Sequence, residues 1–196
     1  MTPVPAELTA LLAPLAAGLR ARRAMLATAE SCTGGLIAGA CTDLAGSSDW
    51  FERGVVTYSN RAKQELLGVP EPVLAAHGAV SEPVARAMAE GLLARAPVAI
   101  TVAVTGIAGP GGGSAEKPVG LVWLAWAWRV ADGSVQAEAL RQVFPGDRAA
   151  VRAATVACAL RGVLDRLDRL GAAPSPEAAA PAARPFSGPH APGAER

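Results

Sequence analysis

Apolar residues recur along this chain with two different periods, and the switches between them outline the fold. Leu8, Leu11, Leu12, Leu15 and Leu19 fall at helical spacing, which predicts a helix over residues 6–22. The short apolar run at residues 24–29 predicts a first buried strand, and residues 33–44 predict a helix after it. Asp49-Trp50-Phe51 opens a second strand expected to run to about Ser59. Asn60 is then expected to cap a short helix ending near Gly68. Ala75-Ala76-His77-Gly78 reads as a loop. Ser81-Glu82-Pro83 starts a helix to about Ala96, with serine at the cap and proline in the first turn. Val98 to Val104 is β-branched and apolar apart from Thr101, the pattern of a strand covered on both faces. Val119 to Val130 and Val135 to Phe144 flank Asp132-Gly133, a hairpin signal. Gly146-Asp147 opens a last helix to about Leu170, with Val151, Ala154, Cys158, Val163, Leu164, Leu167 and Leu170 as its expected buried stripe.

Strands alternating with helices, plus one late hairpin, predict an α/β fold, a three-layer α/β/α sandwich with a mixed β-sheet. After Gly171 the composition shifts to Ala, Pro, Gly and Ser, so residues 171–196 are expected to form a disordered tail beyond one domain at 1–170. A chain of 196 residues, 51% hydrophobic, is long enough for that domain to build a core. The formal net charge of +1 gives no electrostatic pull toward nucleic acid or a membrane. Three scattered cysteines, Cys32, Cys41 and Cys158, make no disulfide framework, and His77 and His190 alone make no metal-ligand set. A reduced, cytoplasmic setting is expected, since the N-terminus is not a signal peptide and no apolar run spans a bilayer.

Candidate chemistry concentrates at Thr28-Ala29-Glu30-Ser31-Cys32-Thr33-Gly34-Gly35-Leu36, at a strand-to-helix turn. The first N–H groups of a helix lack intrahelical partners and can hold an anion or a developing oxyanion. Ser31 is therefore either a nucleophile, with N–H groups around Thr33, Gly34 and Gly35 as its oxyanion site, or only a helix cap. Cys32 is the stronger nucleophile by chemistry but points elsewhere from the turn, as a small packing residue.

Two further segments follow in order: Gly54-Val55-Val56-Thr57-Tyr58-Ser59-Asn60-Arg61-Ala62-Lys63, and Thr105-Gly106-Ile107-Ala108-Gly109-Pro110-Gly111-Gly112-Gly113 with Lys117-Pro118-Val119-Gly120 behind it. Together with the first block, and with Gly46-Ser47-Ser48 and Gly78-Ala79-Val80-Ser81 between, they resemble the CinA C-terminal-domain family. Its characterised members are nicotinamide mononucleotide deamidases. The resemblance covers roughly residues 5–170. It implies the stand-alone form, without the N-terminal domain of the larger CinA proteins. It also implies hydrolysis of nicotinamide mononucleotide to nicotinate mononucleotide and ammonia, in pyridine nucleotide salvage, with no cofactor or metal. A homo-oligomer, a dimer, is implied by the family alone.

In this family the positions of Ser31, Tyr58 and Lys63 carry the deamidase chemistry. Serine needs a base to attack an amide. Lys63, expected in the first turn of its helix, fits if the helix dipole and burial favour its neutral amine; otherwise it is an ordinary solvated lysine. Tyr58, near the end of the second strand and so expected at the mouth of the same cleft, would relay a proton between Ser31 and Lys63 or orient the amide, or else be a half-buried strand aromatic. His77 is a weak candidate in a loop, and His190 lies in the tail. The loop leaving the central strand, with Thr105, Gly106, Gly109, Gly111 and Gly112, is expected to contact the nucleotide, since ligands sit at the carboxyl ends of strands in open α/β sheets. Arg148 and Arg152 share one helix face and would either hold the substrate's phosphate or pair with Asp147 or a neighbouring carboxylate. Glu30 would orient Lys63 or cap the site. The rival readings are a nucleotide-binding module without chemistry and a regulatory protein tied to competence or DNA damage. The absence of a basic stripe argues against direct DNA contact.

Overall fold

The computed structural model describes residues 6–171. The expected tail and His190 lie outside the described residues. Eleven helices and strands follow in chain order: α1 (Ala6–Ala21), β1 (Leu26–Glu30), α2 (Leu36–Asp43), β2 (Phe51–Val56), α3 (Asn60–Leu67), α4 (Glu71–His77), α5 (Glu82–Arg95), β3 (Ile100–Gly106), β4 (Leu121–Arg129), β5 (Val135–Val143) and α6 (Arg148–Leu164). The strands form one sheet in the order β2-β1-β3-β4-β5. β1 runs parallel to both β2 and β3, while β4 and β5 are antiparallel additions on the β3 side. The sheet is mixed and has helices on both faces, the three-layer architecture expected from the pattern.

Alternation along the strands divides the core in two. Ile100, Val102 and Val104 of β3, with Val122, Leu124, Trp126 and Trp128 of β4, face α1, α2 and α6. Ala103, Ala125 and Ala127 point the other way, toward α5. The large side chains fill the wide gap under α6, and the alanines let α5 come close. Trp126 and Trp128 are fully buried. Each such aromatic contributes about 1.5–3 kcal/mol relative to exposure. Trp126 also donates its indole N–H to the Ala159 carbonyl at 3.0 Å. A Cβ at Gly162 would overlap the Trp126 ring, so only glycine fits where α6 crosses it.

Several boundaries differ from the sequence expectation. α4 replaces the loop expected around His77; its start at Glu71-Pro72 places proline in the first turn. Ser59, not Asn60, caps α3, accepting from the Ala62 N–H. α6 ends at Leu164, and a separate 3-10 turn covers Leu167–Arg169. Of the expected stripe, Val151, Val163 and Leu167 are buried and Cys158, Leu164 and Leu170 pack partly buried against the core, while Thr155, Val156, Ala159, Leu160 and Gly162 complete the buried face.

Candidate active site

The carboxyl ends of β1, β2 and β3 lie side by side, and the candidate residues leave from them. Glu30 pairs with both Val56 and Val104, so Ser31, Thr57 and Thr105 follow in adjacent strands. The connection from β1 goes to β2 on one side, while the chain returns to β3 on the other. Such a reversal opens a crevice at the strand ends, the usual ligand site of open α/β sheets.

The turn after β1 is organised by Glu30. Its fully buried carboxylate accepts from Thr28 Oγ1 (3.2 Å), Thr33 Oγ1 (2.7 Å) and the N–H groups of Gly35 (3.0 Å), Ile37 (3.0 Å) and Ala38 (2.8 Å). Glu30 is therefore the cap of α2 and makes no contact with Lys63, which corrects that alternative. The α2 N-terminus is occupied by the protein's own anion. Gly34 N–H donates to the Ser31 carbonyl at 3.1 Å. The expected oxyanion donors Gly34 and Gly35 are thus both engaged. The N–H groups of Cys32 and Thr33 donate to no backbone carbonyl among the described residues. Gly34 (φ 61°) and Gly35 (φ 97°) take left-handed conformations that this tight turn requires.

Lys63 reaches this turn from α3. It is the fourth helical residue after the Ser59 cap, on the buried side with Leu67. Its Nζ donates to Ser31 Oγ at 3.1 Å and to the Thr57 carbonyl at 2.8 Å. Lys63 is 1% exposed and Ser31 8%. Burial pushes the Lys63 amine below its ordinary range. A neutral amine here can spend one N–H on Thr57 and present its lone pair to the Ser31 hydroxyl. The solvated-lysine alternative is excluded by this placement.

Tyr58 takes the expected place at the mouth of the cleft but not the place of a relay. It lies beyond the end of β2, is 65% exposed, and its hydroxyl accepts from Arg148 Nη2 at 3.4 Å. It stands at the mouth of the cleft and not between Ser31 and Lys63, whose direct contact needs no relay. The half-buried strand aromatic does not describe it either.

Ser31, Cys32, Tyr58, Lys63, Thr105 and Gly106, with Ala79, Val80, Ala108 and Arg148, enclose a cleft of about 210 Å³. A wider cleft of about 650 Å³ adjoins it through Ala108 and Arg148, and is lined also by Pro110, Val119 and Arg152. Thr105 fixes the inner wall by donating to the Ala79 carbonyl at 2.8 Å. The glycine-rich loop contributes less than expected. Gly109 presents its carbonyl to Arg148 Nη1 at 3.0 Å, but Gly111 and Gly112 are exposed and line neither cleft. Ala79, Val80 and Ala108 escaped sequence reasoning, because small apolar residues carry no chemical signal.

Asp147 is engaged as the cap of α6, accepting from Ala150 N–H at 2.8 Å. Among the described residues neither Arg148 nor Arg152 forms an ion pair, so pairing with Asp147 is overturned. Burial pushes the Cys32 thiol up to about 11, which keeps it protonated and a poor nucleophile. His77 ends α4 and lines neither cleft. Among the described residues no three His, Cys, Asp or Glu side chains group as metal ligands, and no helix is long and apolar enough to cross a membrane.

The model of the CinA C-terminal domain matches residues 8–167. The chain is 53% identical over 155 residues to the nicotinamide-nucleotide amidohydrolase PncC of Escherichia coli strain K12, covering 79% of this chain and 92% of that protein. It is 58% identical over 139 residues to a CinA-like protein of Akkermansia muciniphila, covering 71% of this chain but 33% of that protein. The chain thus spans about a third of that longer relative's length. The solved structure of the competence/damage inducible protein CihA from Agrobacterium tumefaciens is similar with a TM-score of 0.78 and 47% identity, covering 86% of this chain and 99% of that one. With the family model matching residues 8–167 and a relative 53% identical over 92% of its length, the protein belongs to the CinA C-terminal domain family.

Proposed function

We propose that this protein is an amidohydrolase that converts nicotinamide mononucleotide and water to nicotinate mononucleotide and ammonia. The observation that carries the reading is the buried contact of Lys63 Nζ with Ser31 Oγ at 3.1 Å on the floor of a cleft. The name of the Escherichia coli relative, matched over 92% of its length, supports the substrate class.

Ser31 Oγ attacks the carboxamide carbon while neutral Lys63 takes the hydroxyl proton. The carbonyl oxygen gains negative charge, and the Cys32 and Thr33 N–H groups are the donors left to hold it. Lys63 then returns the proton to the leaving ammonia, giving an ester on Ser31. Water, deprotonated by Lys63, hydrolyses the ester and regenerates the hydroxyl. The inner cleft takes the pyridine carboxamide. The wider cleft takes ribose and phosphate, with Arg148 and Arg152 as the cations for the phosphate. Tyr58, beside Arg148, closes the mouth over the substrate.

Residues 1–170 form the whole catalytic unit in this reading, and 171–196 take no part in it. Three free cysteines accord with a reducing cytoplasmic setting. A homodimer is the expected assembly. The test is ammonia release from nicotinamide mononucleotide by purified protein. Nucleotide binding without ammonia would replace this reading with that of a binding module.

A further inference from the structure

Arg152 links the outer cleft to the nucleophile's turn. Its guanidinium lines the 650 Å³ cleft, and its Nη2 donates to the Thr33 carbonyl at 2.7 Å, across 119 positions of sequence. Thr33 lies two residues after Ser31 in the same turn. Glu30 holds that turn from the sheet side, through Thr33 Oγ1 and Gly35 N–H. Arg152 holds it from the α6 side. A Cβ at Gly34 would sit 3.6 Å from Arg152 Nη2, so the guanidinium lies directly against this backbone.

The tether is incomplete as it stands. Arg152 Nε is buried and has no hydrogen-bond partner among the described residues. Neither Arg152 nor Arg148 has a carboxylate partner among them, and both sit near the start of α6, where a cation opposes the helix dipole. A phosphate dianion in the outer cleft would relieve both arginines and fix the Arg152 fork in one orientation. Whatever fixes that fork also fixes the Thr33 carbonyl, and with it Ser31 and the Thr33 N–H. Two successive glycines make this backbone easy to displace without such support.

We infer that Arg152 is a positioning residue that couples occupation of the outer cleft by the substrate's phosphate to the placement of the Ser31 turn. The enzyme then selects phosphorylated over unphosphorylated nicotinamide nucleosides at turnover as well as at binding. This rests on the deamidase reading above. Binding energy from a remote, non-reacting group is used here to arrange the reacting centre, so removing that group lowers the rate of the chemical step.

The experiment measures ammonia release from nicotinamide mononucleotide, from nicotinamide riboside, and from the riboside with added inorganic phosphite. The wild-type protein should hydrolyse the riboside with a kcat/KM at least about 100-fold below that of the mononucleotide. Saturating phosphite should raise the riboside value about tenfold or more, although it adds no covalent link. Arg152→Ala should abolish that activation and lower kcat on the mononucleotide more than it raises KM, with its fold confirmed by circular dichroism. Arg152→Lys, which keeps charge but not the fork, should recover only part of the activation. Absence of phosphite activation in the wild type overturns the coupling, independently of how any variant folds. Undiminished activation in Arg152→Ala overturns the role of Arg152. No ammonia from the mononucleotide with wild-type protein would remove the reaction itself, and the coupling with it.

Discussion

Glu30→Ala is the perturbation whose size can be worked most directly from the geometry. The substitution orphans five donors: the hydroxyls of Thr28 and Thr33 and the N–H groups of Gly35, Ile37 and Ala38. The two hydroxyls can rotate toward other acceptors. The three N–H groups cannot, and the Ile37 N–H is buried. An unsatisfied buried donor costs about 1–3 kcal/mol, and loss of a helix cap about 1 kcal/mol. Water reaching the part-buried Gly35 and Ala38 groups offsets some of this, leaving a net loss of about 3–5 kcal/mol. For a domain of this size each kcal/mol lowers Tm by about 2–4 °C, so a fall of roughly 10 °C is expected. Differential scanning calorimetry of wild type, Glu30→Ala and Glu30→Gln provides the assay. Glu30→Gln keeps one oxygen for the three donors on Oε2 but turns an amide NH2 toward the Ala38 N–H, and should lose about half as much. A fall of under 3 °C for Glu30→Ala would refute the claim that this carboxylate organises the turn.

The other predictions concern the reaction and the tail. Lys63 must be neutral to accept the proton, and its pKa is lowered by burial, so kcat/KM should rise with pH and level off below the ordinary lysine range; a flat profile would remove Lys63 as the base. The same depressed pKa makes stability fall as pH drops from the ordinary lysine range toward the folded-state value and change no further below it, a trend that Lys63→Met should erase in pH-dependent melting. Lys63→Arg keeps the charge but offers no neutral amine, and should lower turnover by roughly two orders of magnitude or more, read from steady-state kinetics. Cys32→Ala should retain most activity, because its thiol is protonated at working pH; a dead Cys32→Ala variant with an active Ser31→Ala would reverse the assignment of the nucleophile. Truncation after Gly171 should leave Tm and turnover nearly unchanged, and a large fall in Tm would show that the tail packs on the domain.

The layers of this fold were legible because the strands carry their own signal. Val98 to Val104 is apolar apart from Thr101, and from Ile100 on it forms β3, buried on both faces, while Asp132-Gly133 sits in the expected hairpin. What the local pattern missed was decided by distant partners. The close approach of α6 to Trp126 at Gly162 is one such contact, which no helical period reveals. α4 is a short helix of seven residues, below the length at which periodicity speaks. In the site, the serine and the lysine were nameable from their motifs, and burial was expected to lower the lysine's pKa, but the Thr57 carbonyl that Lys63 meets beside Ser31 was not. Glu30 stood in plain view beside Ser31, yet its five donors come from a turn whose curvature depends on Gly34 and Gly35. The Arg152 tether joins segments 119 residues apart and left no trace in either.

The central claim is that Ser31, activated by Lys63, breaks the carboxamide bond of nicotinamide mononucleotide. It is tested most directly by following ammonia and nicotinate mononucleotide together for wild type and Ser31→Ala, with substrate binding measured calorimetrically on both. The account predicts equimolar products from the wild type, none above background from Ser31→Ala, and nucleotide affinity preserved within a few-fold in that variant. Turnover by Ser31→Ala near the wild-type rate would contradict it, as would a wild-type protein that binds the nucleotide and releases no ammonia.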